Sequence, residues 1–179
     1  MSRPPGTIGV DPGGRETGVV LRVGRECARA VVVVRELDEM GPYLREVVDL
    51  LAELGADHPP DVRPLVLVEG ISHPTGRNLD GKVAPINVDG LIAAAQVIGA
   101  ILVTFPTALV VPPGRHGKAP LIAYPPELRG AREVKGAGRL RHARSAWDVS
   151  FAAMPAAVLA GTGPRSPARN RGNHRGKTR

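Results

Sequence analysis

The sequence has one cysteine, Cys27, in 179 residues. A lone thiol excludes an internal disulfide and any zinc site built on cysteines, and it suits a reducing compartment. Aromatic residues make up only 3% of a chain that is 42% hydrophobic, so the core has to be made of Val, Leu, Ile and Ala. No apolar run reaches the roughly 18–20 residues of a membrane span. The opening MSRPPG has no signal-peptide core. No membrane partner is therefore expected, and the cytoplasm is the expected location. Acidic residues are scarce in one half of the chain only. Residues 1–89 hold 10 basic and 14 acidic side chains, whereas residues 90–179 hold 14 basic and 3 acidic. Such a split points to a polyanionic partner, nucleic acid first among them.

The length suits one domain with a substantial core. We expect it over residues 1–160, followed by a basic, disordered tail over 161–179 that carries six basic residues and no acid. Residues 7–11 read as a strand, Asp11–Thr17 as a turn, and Gly18–Val23 and Cys27–Val34 as two more strands. Their short connections predict an antiparallel meander. Behind a cap at Asp38, Met40, Tyr43, Leu44, Val47, Leu51 and Leu54 recur at helical spacing, up to a stop at Gly55. Leu65–Val68 is a continuous apolar run, as in a central strand covered on both faces. Asn87–Val103 reads as a helix apolar almost all round, and hence buried. Ala108–Val111 reads as a short strand and 112–138 as an irregular, mobile stretch. Leu140–Leu159 reads as a last helix, kinked or shortened at Pro155. The order β-β-β-α-β-α-β-α predicts an α/β fold: a five-stranded mixed sheet flanked by helices.

Three carboxylates occupy telling places in that order. Asp11 ends the first strand, in TIGVDPGG. Glu69 ends the fourth, in LVLVEG. Asp148 lies in the last helix, in RHARSAWDV. Alone, Asp11 serves equally well as a turn residue and Asp148 as a helix-surface acid. If strands one and four are neighbours, however, Asp11 and Glu69 meet at one sheet edge, and the last helix can deliver Asp148 there. Clustered carboxylates repel unless cations lie between them or their pKa values rise. Oxygen-only ligation suits Mg²⁺ or Mn²⁺, and two such ions can hydrolyse a phosphodiester. The glycine-rich PPGRHGKAP lacks the Gly-Lys-Ser/Thr ending of a phosphate-binding loop, so no nucleotide cofactor is expected.

IGVDPGGRETG, the glutamate of LVLVEG, the helix INVDGLIAAAQVIGA and the run HARSAWDV together resemble RuvC-type Holliday junction resolvases, in particular compact versions from actinobacteria and their phages. The resemblance covers roughly residues 7–155. It implies a ribonuclease H-like fold and a homodimer that cleaves four-way DNA junctions with two Mg²⁺ or Mn²⁺ ions, in a bacterial cytoplasm or, for a phage protein, that of the host. By carry-over Asp11, Glu69 and Asp148 are metal ligands. Ser145 stands where the family often has a second acid or a histidine, and His142, a turn earlier, is the candidate that partly replaces it. No aromatic follows Glu69, where some resolvases place a wedge. Arg15, Arg77, Lys82, Arg139, Arg141 and Arg144 are the candidate DNA contacts. Two other readings stay open: a ribonuclease H-like nuclease acting on forks, flaps or RNA, and a protein that binds junctions without cutting them.

Overall fold

In a computed structural model, the described residues are 6–36, 39–56, 58, 63–71, 87–129 and 140–152. The elements follow the expected order: β1 (Gly6–Asp11), β2 (Glu16–Val23), β3 (Glu26–Val34), α1 (Met40–Ala56), β4 (Leu65–Glu69), α2 (Val88–Thr104), β5 (Leu109–Val111) and α3 (Leu140–Val149). Two short 3-10 turns, Leu121–Ala123 and Pro126–Leu128, lie between β5 and α3. The five strands form one mixed sheet in the order β3-β2-β1-β4-β5. β1–β2 and β2–β3 are antiparallel, while β1–β4 and β4–β5 are parallel. The α1 and α2 crossovers supply the long connections that parallel neighbours need.

Strand alternation divides the molecule into two layers. Ile8 and Val10 of β1, Val19 and Leu21 of β2, and Val66 and Val68 of β4 enter one aliphatic cluster with Tyr43, Val47, Leu51 and Leu54 of α1 and Val97 and Ile101 of α2. The alternate residues face α3. Val20 packs there with Ala143, Ala146, Trp147, Tyr124 and Leu128, and Leu67 with Val111 and Val149. Two glycines set how closely α3 can approach. A Cβ on Gly9 would lie 1.9 Å from the Ala146 carbonyl oxygen, and one on Gly18 would lie 2.1 Å from that of His142. The α3 backbone therefore rests directly on β1 and β2.

Three expectations change. α3 stops at Val149 rather than running on toward Leu159. Its last carbonyls are taken locally: the Ser150 hydroxyl donates to the Trp147 carbonyl at 2.6 Å, and the Phe151 and Ala152 amides bond three residues back. The Ser150 carbonyl accepts from Arg22 Nη2 of β2 at 2.7 Å and from the Thr7 hydroxyl of β1 at 3.1 Å, which pins this end to the sheet. α2 is not buried all round: Ala93, Ala94, Val97 and Ile101 face the core, while Val88, Ile92, Leu102 and Val103 are exposed. The described part of the stretch after β5 is irregular, yet it is anchored by the fully buried Tyr124 and Leu128. The tail, 161–179, and Asp38 lie outside the described residues. Among those described, no helix is long and apolar enough to cross a membrane.

Candidate functional site

Asp11 follows Gly9 on the α3 face of β1, and Glu69 follows Leu67 on the same face of β4. Val10 pairs with Val68 across the two parallel strands, so Asp11 and Glu69 are the next residues on adjacent strands. Both line a cleft of about 330 Å³, together with the Pro12–Gly14 turn, Gly114, His116, Lys118, Arg141, His142 and Ser145. The turn after Asp11 is fixed from behind by α1, whose Tyr43 hydroxyl donates to the Gly13 carbonyl at 3.1 Å and lies 2.5 Å from the Thr17 hydroxyl. Burial raises the Tyr43 pKa above its ordinary value, which keeps the phenol a donor.

Each carboxylate has its own histidine. Asp11 Oδ2 lies 2.7 Å from His142 Nδ1, and Glu69 Oε1 lies 2.9 Å from His116 Nδ1. Glu69 also accepts from the Gly114 amide at 3.1 Å, and its Oε2 accepts from the Ser145 hydroxyl at 2.9 Å. These four side chains are 13 to 25% exposed, shielded from bulk water yet reachable. Ser145 takes its place because His142 and Ser145 lie three residues apart, on one face of α3.

Asp148 does not join them. Six residues past His142, a helical side chain is rotated by about 120° and shifted by about 9 Å. Asp148 Oδ2 accepts instead from the Gly117 amide at 2.7 Å and the Tyr124 hydroxyl at 3.0 Å, and the residue is not in the cleft lining. Burial, reinforced by the Asp148 charge, pushes the Tyr124 phenol up to about 12. The expected group of three carboxylates is thus two carboxylates, two histidines and a serine.

The expected DNA contacts also divide. Arg141 lines the cleft and is exposed. Arg15 is exposed in a neighbouring hollow with Arg35, Asn87 and Asp89. Arg144 turns inward: it is 2% exposed, donates to the Leu128 carbonyl at 3.3 Å, and sits over the Tyr124 ring at 5.9 Å. Arg77, Lys82 and Arg139 lie outside the described residues. His116 and Lys118 are the cleft residues that sequence reasoning missed. A signal for them existed. Glu69 pairs with Val111 of β5, so whatever follows β5 starts beside the glutamate.

Among the described residues, no group of three or more His, Cys, Asp or Glu side chains converges as a ready-made cation cage. Two carboxylates at one sheet edge still fit a hard cation. Mg²⁺ is commonly held by one or two carboxylates plus water and substrate phosphates rather than by an all-protein cage.

No family model matches the chain, and no curated protein matches it. Among solved structures it is similar to Thermus thermophilus RuvC in complex with Holliday junction substrate, with a TM-score of 0.56 and 18% identity over 88% of this chain and 97% of that one. A second Thermus thermophilus RuvC structure matches with a TM-score of 0.48 and 18% identity, over 81% and 90% of the two chains. At this identity the likeness is one of fold. The chain has the ribonuclease H-like fold of RuvC, with its five-stranded mixed sheet and flanking helices.

Proposed function

We propose that this protein is a metal-dependent, structure-selective DNA endonuclease that hydrolyses phosphodiesters in four-way junctions and acts as a homodimer. The observation that carries the reading is the pair Asp11 and Glu69, side by side at the ends of two central strands in an open, partly shielded cleft. In this reading the two carboxylates hold the Mg²⁺ or Mn²⁺ ions. When bound, such ions supply positive charge that polarises the scissile phosphate and stabilises the leaving oxygen. Around them, His142 and His116 orient the two carboxylates through Nδ1, which leaves each Nε2 to exchange a proton with the substrate or a water. Ser145 holds the second oxygen of Glu69. Lys118 and Arg141 flank the cleft and bind the DNA backbone, and the basic second half of the chain extends that contact. The likeness in fold to a RuvC bound to a Holliday junction supports a branched substrate for this chain too.

The exposed side of α2 suits a second copy. Val88, Ile92, Ala95, Gly99 and Leu102 follow one another at steps of four and three residues, the spacing of a helix-pairing seam, and all lie on the exposed face. Two such cleft-bearing protomers would cut two strands of one junction.

A second reading, junction binding without cleavage, has its own support: with Ser145 in place of an acid and Asp148 displaced, the cleft has two acids among the described residues. Incubating the purified protein with a synthetic four-way junction, a fork, a linear duplex and an RNA–DNA hybrid, in Mg²⁺ and in Mn²⁺, separates the readings. Paired symmetric nicks confined to the junction are the expected result. Equal cutting of fork or hybrid contradicts junction selectivity. Tight junction binding with no cutting in either metal favours the second reading.

A further inference from the structure

Asp148 is a carboxylate on the helix that carries His142 and Ser145, yet it is not in the cleft lining, and its Oδ2 bonds to the loop that follows β5. That loop is held at two places. On the sheet side, Glu69 takes the Gly114 amide and the His116 ring. On the helix side, Asp148 Oδ2 takes the Gly117 amide, one residue beyond His116, and the Tyr124 hydroxyl. Tyr124 in turn accepts from the Ala119 amide at 3.1 Å, so one buried phenol ties both limbs of the loop to one carboxylate oxygen. Gly117 has a φ of +72°, and a Cβ there would lie 3.1 Å from the Ser145 nitrogen and 3.2 Å from the Arg141 carbonyl oxygen. The loop is therefore pressed onto the turn of α3 that lines the cleft.

We infer that Asp148 is a positioning residue: through Gly117 and Tyr124 it fastens the loop after β5 to α3, and so sets His116 on Glu69. It does this as a hydrogen-bond acceptor and not as a metal ligand. The inference builds on the cleft proposed above as the active site, but the fastening is testable without any catalysis. Both bonds go to one oxygen, so an uncharged isostere keeps them. Asp148→Asn retains an acceptor in place, whereas Asp148→Ala removes it. A metal ligand would be lost in both.

The test is a two-dimensional NMR spectrum of the imidazole nitrogens of the full chain, with His116 assigned by comparison with His116→Gln. Mn²⁺ titration of the same proteins accompanies it. Asp148→Asn is expected to leave the His116 Nδ1 resonance in place and to hold Mn²⁺ affinity within about twofold of wild type. Asp148→Ala is expected to move the resonance to that of a free, solvent-exposed histidine. Tyr124→Phe, which keeps the buried ring and loses the hydroxyl, is expected to move it part of the way, and it serves should Asp148→Ala fail to fold. A His116 signal unchanged in both Tyr124→Phe and Asp148→Ala overturns the fastening role. A tenfold or greater loss of Mn²⁺ affinity in Asp148→Asn overturns it in favour of ligation. Should wild type bind no Mn²⁺, the proposed metal chemistry falls while the imidazole spectra still decide the fastening.

Discussion

The two faces of the sheet are built on opposite terms. Against α1 and α2, β1, β2 and β4 present branched aliphatic side chains that interlock in a continuous cluster around Val10, Leu51 and Val68. Against α3, smaller apolar clusters around Val20 and Leu67 are combined with Gly9 and Gly18, so backbone meets backbone and the polar side chains of Asp11, Glu69, His142 and Ser145 gather at the rim. Hydrophobic burial supplies most of the stability on the first face. On the second, close approach sets the position of a polar cleft to within a hydrogen bond. One strand thus serves stability and chemistry at once, because its alternate residues belong to separate layers.

Substitutions on the two faces should therefore fail in different ways. Leu51→Ala, in the aliphatic layer, is expected to cost about 2–5 kcal/mol of stability while leaving cleavage per folded molecule unchanged. Urea denaturation beside a junction-nicking assay reads both. Gly9→Ala is expected to cost at least as much stability, because its Cβ would meet the α3 backbone 1.9 Å away and not a flexible side chain, and in addition to displace α3 and reduce nicking by tenfold or more in the protein that is still folded. If Gly9→Ala nicked normally, or Leu51→Ala lost activity while folded, the division between the faces would be wrong. The smallest effect concerns Cys27, which packs at the edge of the α3 layer. Burial, with Glu127 adding to it, pushes its thiol up to about 11. The reactive thiolate is then about one part in a thousand at pH 8 and grows as pH rises toward that value. Alkylation at pH 8 should be roughly a hundredfold slower than for a free thiol; modification at the free rate would mean that this layer is open.

The sheet was legible because apolar runs, Gly turns and the Leu65–Glu69 strand each carry local information, and their order leaves few ways to pair them. Asp11 and Glu69 were legible for the same reason, since a carboxylate at the end of a buried strand needs an explanation. Asp148 misled because helical position depends on rotation: six residues past His142 it lies about 120° round the helix, where the Gly117 amide and the Tyr124 hydroxyl take its oxygen. Arg144 misled because a long stem can carry its charge inward when a carbonyl and an aromatic ring receive it. The outer side of α2 was read as buried because an apolar helix face looks the same in sequence whether or not its own sheet covers it. His116 went unassigned because its partner, Glu69, is distant in sequence and is brought to it only by the β4–β5 pairing.

In the proposed function, Asp11, beside Glu69, holds the metal that cuts a DNA junction. The most direct measurement is the nicking rate of a four-way junction in Mg²⁺ by wild type and by Asp11→Asn, at protein concentrations that saturate binding in both. Symmetric nicks by wild type and a loss of at least a hundredfold in Asp11→Asn, with junction binding retained, are expected. Equal rates in the two proteins would contradict that role.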